Sequence, residues 1–590
     1  MSSRPRPGFL SLPRELRDTI YHHYLFEPEG YHFNLASGKL CASGNRPVNL
    51  ALMRTCTAVA AEMHHLPLRT NVVHFSTSAD PSESERTISA RFAMLLEYFE
   101  QGRIAALTLS REPSLRPYQT PEVDAKLALK YPQFAPLLHW WSPESPRAYP
   151  SVATWAGIAS IWGEPDSEFL AFQSYMIELL STNADFLGAL VESDLLHKLD
   201  DPRSSLYSPV VDEASQARRE QMHSFLLDKE QKPRGERASF FRSVLSASKP
   251  EPWTIPSLEE LVQMMANVNL SPSNPAHEAQ RCLGLETPKY GQGHQWKCVK
   301  WRFSAAAAAA IHFFKSISRE TCSAVRRVVL HEDRPSVGFP ESHVLGLIPF
   351  CVQSPQLHIE RRVNIWRVLL SPHSCQGTCL HAIANHIVSI SENVEKFSSK
   401  ICDRGCIALI SESCCRWITE ASGLSAKGMP AHSFSLVLDG DPAPDKSSEL
   451  FERMKEAVAW QVAQAQAYPD QSPSLGFIAT RSAWIYRCGV FPQAINDIVN
   501  GTSFISCNFP TGTLHDPRAV LNMNRHLVHR DARGRMSGRG WLIAFENHQK
   551  RHPMRFPPHL SFVDLAAEEL LPEEHMPLIE GKPAQASNFA

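Results

Sequence analysis

Apolar positions in "LPRELRDTIYHHYLF" recur every four residues: Leu12, Leu16, Ile20 and Tyr24 fall on one stripe, while Arg14, Arg17, Asp18 and His22 lie elsewhere. That period predicts an amphipathic helix. Ser11 can cap its first turn, and Pro13 sits inside that turn, where a missing N–H costs nothing. After a Gly-, Asn- and Ser-containing interval from Glu27 to Asn49, the helical pattern returns in Leu52, Cys56, Val59, Ala60 and Met63. The chain therefore opens with two short helices whose apolar faces need a surface to bury against.

The period then alternates between that of a strand and that of a helix. "NVVHFST" has the valine, aromatic and threonine content of a strand, "ISARFAMLLEYFEQGR" has helical spacing, and "IAALTLS" alternates like a second strand. The same order reappears as "CVKWRFS", "AAAAAAIHFFKSISRETCSA" and "VRRVVLHED", Cys298 to Asp333. Setting Phe75 against Phe303, Leu95 to Phe99 against Ile311 to Phe314, and Leu107 and Leu109 against Val328 and Leu330 makes these a weak internal repeat. His432 to Ala467 offers a third strand and helix. Crossover helices between neighbouring strands favour right-handed connections and parallel pairing. The expected fold is mixed α/β: a short helical N-terminus, then a predominantly helical body with strand-helix-strand units on a sheet.

Five segments follow from this pattern. Residues 8–77 form the helical start leading into the first strand, and 78–198 the first strand-helix-strand unit and a helical segment, "WAGIASIWGEPDSEFLAFQSYMIELLS". Residues 199–255 are a charged linker or mobile insertion, 256–470 a second α/β region, and 471–590 a C-terminal region with a mobile tail after Leu571. With 590 residues the chain is too long for one core, and two to four domains are expected.

Charge narrows the partners. Lys+Arg 59 against Asp+Glu 61 leaves a net charge of -2, so no global field draws the chain to nucleic acid or to an anionic membrane. No apolar run approaches the roughly 18 residues that cross a bilayer, and "MSSRPRPGF" leads into a polar helix in place of a secretory apolar region. The 14 cysteines are sparse and irregularly spaced, as reduced thiols are. These readings together predict an intracellular protein of the cytoplasm or nucleus.

Three groups of side chains carry candidate chemistry. Cys375, Cys379, Cys402 and Cys406 form two Cys-x-x-x-Cys pairs, flanked by His373 and His381, that could converge on a structural zinc. Spacing of four also places two thiols on one helix face, where they are ordinary core residues. Arg525, Arg530, Arg533, Arg535 and Arg539, with Trp541, make a basic stretch able to grip phosphates or an acidic protein, against the competing reading of a solvated loop. Asp439 and Asp441 end a strand, where carboxylates hold Mg²⁺, act in acid-base work, or simply cap a turn. "HLVHRDARGR" matches the kinase catalytic loop only superficially, because Met536 stands where an Asn is needed. The chain lacks a Walker or Rossmann phosphate loop, a nucleophile elbow and a zinc-protease signature, which leans the reading away from an enzyme without excluding one.

The opening residues also carry a resemblance. Leu12, Pro13, Glu15, Leu16, Arg17, Ile20 and Tyr21, then Arg54, Thr55, Cys56, Asn71 and Phe75, fill the positions of the F-box-like start found in uncharacterised families of filamentous fungi. The stretch "FFKSISRETCSAVRRVVLHEDRPSVGFPESHVLGLIPFC" is similar to the same group. The resemblance covers about seventy residues at the start of the chain. It implies a protein-interaction adaptor in which Leu12, Pro13, Leu16 and Ile20 dock a Skp-type linker subunit of a cullin-RING ubiquitin ligase, while the body captures a protein substrate. The alternatives are an orphan enzyme or zinc-stabilised scaffold, and nucleic-acid binding through Arg525 to Arg539. No cofactor is expected beyond that zinc.

Overall fold

The computed structural model describes residues 8–77, 115–135, 166–192, 249–268, 304–334, 336–368, 407–467 and 490–527, with isolated positions within 88–106, at 138, and within 241–245 and 541–548. Eight strands form one sheet: β1 Tyr31–Asn34, β2 Lys39–Ala42, β3 Arg46–Pro47, β4 Val72–Ser76, β5 Arg327–Glu332, β6 His358–Asn364, β7 Phe434–Asp439 and β8 Ile505–Cys507. Their order is β3-β2-β1-β4-β5-β6-β7-β8, antiparallel from β3 to β1 and parallel from β1 through β8. The mixed α/β reading therefore holds at the level of class.

The interval Glu27 to Asn49, which reads as a connection, is the β1-β2-β3 meander. Gly30 makes it possible: its φ is +69°, and a Cβ there would lie 2.5 Å from the Val72 carbonyl oxygen. Only glycine lets the chain turn that close to β4.

The first strand-helix-strand unit differs from expectation. Of "IAALTLS" only Ala106 is described, and it is helical and buried. The strand beside β4 is β5, which lies some 250 residues further along the chain, with Phe75 opposite Leu330. Val328 and Leu330 are thus sheet neighbours of Val73 and Phe75, and the repeat partners Phe303, Leu107 and Leu109 lie outside the described residues. Sequence period identifies a strand but carries no information on which distant strand pairs with it.

Alternation along the parallel strands separates two faces. Val73, Phe75, Val328, Leu330, Ile359, Val363, Leu436 and Leu438 are buried in the main core, which also takes side chains from the helices Ala306–Ser316, Ile407–Ser422, Pro444–Ala467 and Phe491–Val499. The intervening residues, among them His74, His331, Glu360 and Val437, are half-buried, and Arg362 is exposed. Most parallel sheets bury both faces and read as continuous apolar runs; this one alternates because its second face is polar. The parallel strands β4 to β8 follow in chain order on one side of β1, while β2 and β3 lie on its other side.

A second core is mainly helical. Phe134, Phe172, Phe186, Leu190 and Leu261 join Phe92, Leu95 and Phe99 in it, drawing on the helices Asp166–Ser181, Ala184–Glu192 and Leu258–Asn267. It meets the sheet core at Glu420, which accepts from Ser167 N and Oγ, both at 2.7 Å, while Lys427 Nζ lies 3.1 Å from Glu168 Oε1. The charged stretch Leu199 to Arg237 and the tail after Leu571 lie outside the described residues. Among the described residues no helix is long and apolar enough to cross a membrane.

Candidate functional site

Three short helices surround the meander: α1 Arg14–Leu25, α2 Thr57–Met63 and α3 Leu66–Thr70. Tyr21 and Leu25 of α1 are buried against Val59 and Met63 of α2, with Tyr24, Leu52, Met53 and Leu66 packed around them. One carboxylate fixes this contact. Glu62 accepts from Arg17 Nε at 2.9 Å and from the Tyr21 hydroxyl at 2.7 Å, and Arg14 Nη1 lies 3.4 Å away. Hydrogen bonds from Arg17 first, then Tyr21, hold the Glu62 carboxyl down to about 2. Arg17 Nη1 also donates to the Leu10 and Leu12 carbonyls, tying the chain before α1 to the same point.

This anchoring sets the rotation of α1. Arg17, Tyr21 and Leu25 face inward at four-residue spacing, so the stripe expected from Leu12, Leu16, Ile20 and Tyr24 divides. Tyr24 turns to the small core, its hydroxyl donating to Asn49 Oδ1 at 2.8 Å. Leu16 and Ile20 face solvent at 52% and 40% exposure, and Leu10 and Phe26, in the segments before and after α1, are each 49% exposed. Pro13 is exposed and Leu12 half-buried. The helix is thus apolar on two sides, one used and one bare. Exposed apolar residues are ordinary when scattered; Leu16 and Ile20, four residues apart on one helix, share a face.

The other predicted sites fare differently. Cys375, Cys379, Cys402 and Cys406, with His373 and His381, lie outside the described residues, as do Arg530, Arg533, Arg535 and Arg539. Among the described residues no group of three or more His, Cys, Asp or Glu side chains could hold a metal. Cys414 and Cys415 are buried in the main core, and burial raises the Cys414 thiol well above its ordinary range, which leaves it a packing residue. Arg525 begins the short helix Arg525–Leu527. Trp541, which follows the basic stretch, is fully buried against Trp460 and Phe545, so it is not a free stacking platform.

Asp439 and Asp441 build a turn. Asp439 Oδ1 accepts from the Asp441 N–H at 3.0 Å and from Asn508 Nδ2 at 2.6 Å. Asn508 Oδ1 in turn accepts from Gly440 N at 2.7 Å, and Asn364 Nδ2 donates to the Asp441 carbonyl at 2.8 Å. The carboxylate closes the β7 end by hydrogen bonds within the protein, as Asp does in turns.

Sequence reading missed the polar face of the sheet. His32, His74 and His331, on β1, β4 and β5, form a ladder: ring centroids are 4.9 Å and 5.3 Å apart, with interplanar angles of 18° and 22°. His74 Nδ1 and His331 Nε2 are 3.0 Å apart, close enough to share one proton. Each histidine alternates with buried neighbours in "YHFN", "VVHFS" and "RVVLHE", which assigns it to the other face; their convergence required the strand order. No family model, curated protein or solved structure matches the chain.

Proposed function

We propose that this chain is an F-box-like adaptor: α1 docks a Skp-type linker subunit of a cullin-RING ubiquitin ligase, and the α/β body presents a captured protein for modification. The observation that carries the reading is the outward position of Leu16 and Ile20 on a helix whose adjacent face, bearing Arg17 and Tyr21, is locked by Glu62. Helix-in-groove recognition needs apolar anchors at helical spacing on a helix that is already formed, because preorganisation lowers the ordering cost of binding. The Leu-Pro start supports the choice of partner through the resemblance of residues 12–21 and 54–75 to F-box-like starts of fungal proteins.

Burying one leucine or isoleucine side chain contributes about 1.5–3 kcal/mol. Co-purification of the full chain with the linker from cells expressing both is the test. A Leu12→Ala, Leu16→Ala, Ile20→Ala variant with an unchanged circular dichroism spectrum is expected to lose the linker. Absence of the linker from the wild-type preparation would remove the proposal.

A further inference from the structure

The polar face of the sheet offers chemistry that the docking helix does not use. His331 lies opposite Ser76 on one side and Arg362 on the other, and His32 lies opposite His74. Four nitrogen-bearing side chains from four adjacent strands thereby share one patch. Arg362 is held from below: its Nε binds Glu360 Oε1, which orients the guanidinium while both Nη groups stay at a half-exposed position. A planar fork fixed at one nitrogen presents its remaining donors in the geometry an oxyanion accepts.

The two nearby carboxylates are already engaged. Glu360 is paired with Arg362, and Asp439 accepts from Asn508 and from the Asp441 backbone. His358 is likewise committed, its ring nitrogens meeting the His432 carbonyl and the Ser435 hydroxyl. Metal binding does not suit the ladder: the His74 and His331 nitrogens face each other at 3.0 Å, and among the described residues no group of three or more His, Cys, Asp or Glu side chains could hold a metal.

We propose that Arg362 and His331, with Ser76 and His74 beside them, form a binding site for an oxyanion, a sulfate, phosphate or carboxylate group. Arg362 supplies the fixed charge and the imidazoles supply N–H donors. The groups facing the ladder are His32 on β1, His331 on β5, Arg362 and Glu360 on β6 and Asp439 on β7. Burial first, then the neighbouring histidines and Arg362, lowers His74 to about 4, and burial first, then Arg362, lowers His331. An anion seated against Arg362 opposes that shift, so binding takes up a proton and tightens as the pH falls.

The probe is sodium sulfate, which stays dianionic across the range, titrated calorimetrically into the full chain at fixed ionic strength in two buffers of different ionisation enthalpy. Saturable binding about tenfold tighter at pH 5.5 than at pH 7.5, with uptake of close to one proton, is expected from the linkage. Arg362→Gln, at an exposed position, is expected to abolish binding, and Ser76→Asp to compete with it by placing a carboxylate beside His331. Failure of sulfate to bind at either pH, or undiminished binding by Arg362→Gln, overturns the assignment. Neither result bears on linker docking, which uses α1 alone.

Discussion

Glu332 is a carboxylate that water does not reach, at 1% exposure, and it accepts hydrogen bonds from Ala306, Ala307 and Arg361. The alanine-rich helix Ala306–Ser316 has Ala305 at its N-cap and no side chain there to cap it. Glu332 fills that role from β5, accepting from Ala306 N at 3.0 Å and Ala307 N at 3.2 Å, and it is paired with Arg361 Nη2 of β6 at 2.7 Å. Arg361 is itself buried, donates to the Pro340 and Glu341 carbonyls, and lies over the Trp417 ring. Removing one charge strands the other in the interior, so Glu332→Gln is expected to lower unfolding stability by about 3–5 kcal/mol in chemical denaturation. Arg361 falls at a core-facing position of β6 and reads in sequence as an exposed residue; its burial depends on a partner one strand away.

His343 adds a pH dependence. Its Nε2 faces the Gly338 carbonyl at 2.7 Å and therefore carries the proton, and burial lowers the group to about 4 from an ordinary 6.5. The unfolded chain accepts a proton near pH 6.5, while the folded chain resists until about pH 4. The stability is thus full above pH 6.5 and falls as the pH drops through that window, by about 3 kcal/mol at most. His343→Gln, which can still donate to Gly338, is expected to flatten the decline of denaturation midpoint between pH 6.5 and 4. A decline as steep as that of the wild type would refute the assignment.

At the scale of elements, local period located some of what is regular and left β6, β8 and the helix Phe491–Val499 unmarked. β4, β5, β7, α1 and the helix Pro444–Ala467 lie where alternation or four-residue spacing places them. The rotation of α1 was not legible, because Leu16, Ile20 and Tyr24 satisfy the same spacing as Arg17, Tyr21 and Leu25, and Glu62 decides between the two faces. The meander was not legible either: strands of two to four residues are too short for alternation to register. Its dependence on Gly30 is testable. Gly30→Ala places a methyl group against the Val72 carbonyl at a positive φ, and is expected to cost roughly 1–3 kcal/mol, with faster amide exchange concentrated in β1 and β2.

For the whole molecule, strand order was the least predictable feature, since β4 and β5 come from opposite ends of a long intervening sequence that also supplies the helical core. The five segments read from composition do not coincide with the packing: the single sheet takes strands from 8–77, 256–470 and 471–590. α1 leads into β1 of that sheet, so under the proposed function a linker held by α1 would fix the orientation of the polar sheet face.

The central claim is that the bare side of α1 is a handle. Its most direct test is the equilibrium affinity of the full chain for purified Skp-type linker, compared between wild type and a Leu16→Ala, Ile20→Ala variant. Both positions are exposed, so the variant is expected to keep the wild-type melting temperature and to bind at least tenfold more weakly. Equal affinities for the two proteins would contradict the account.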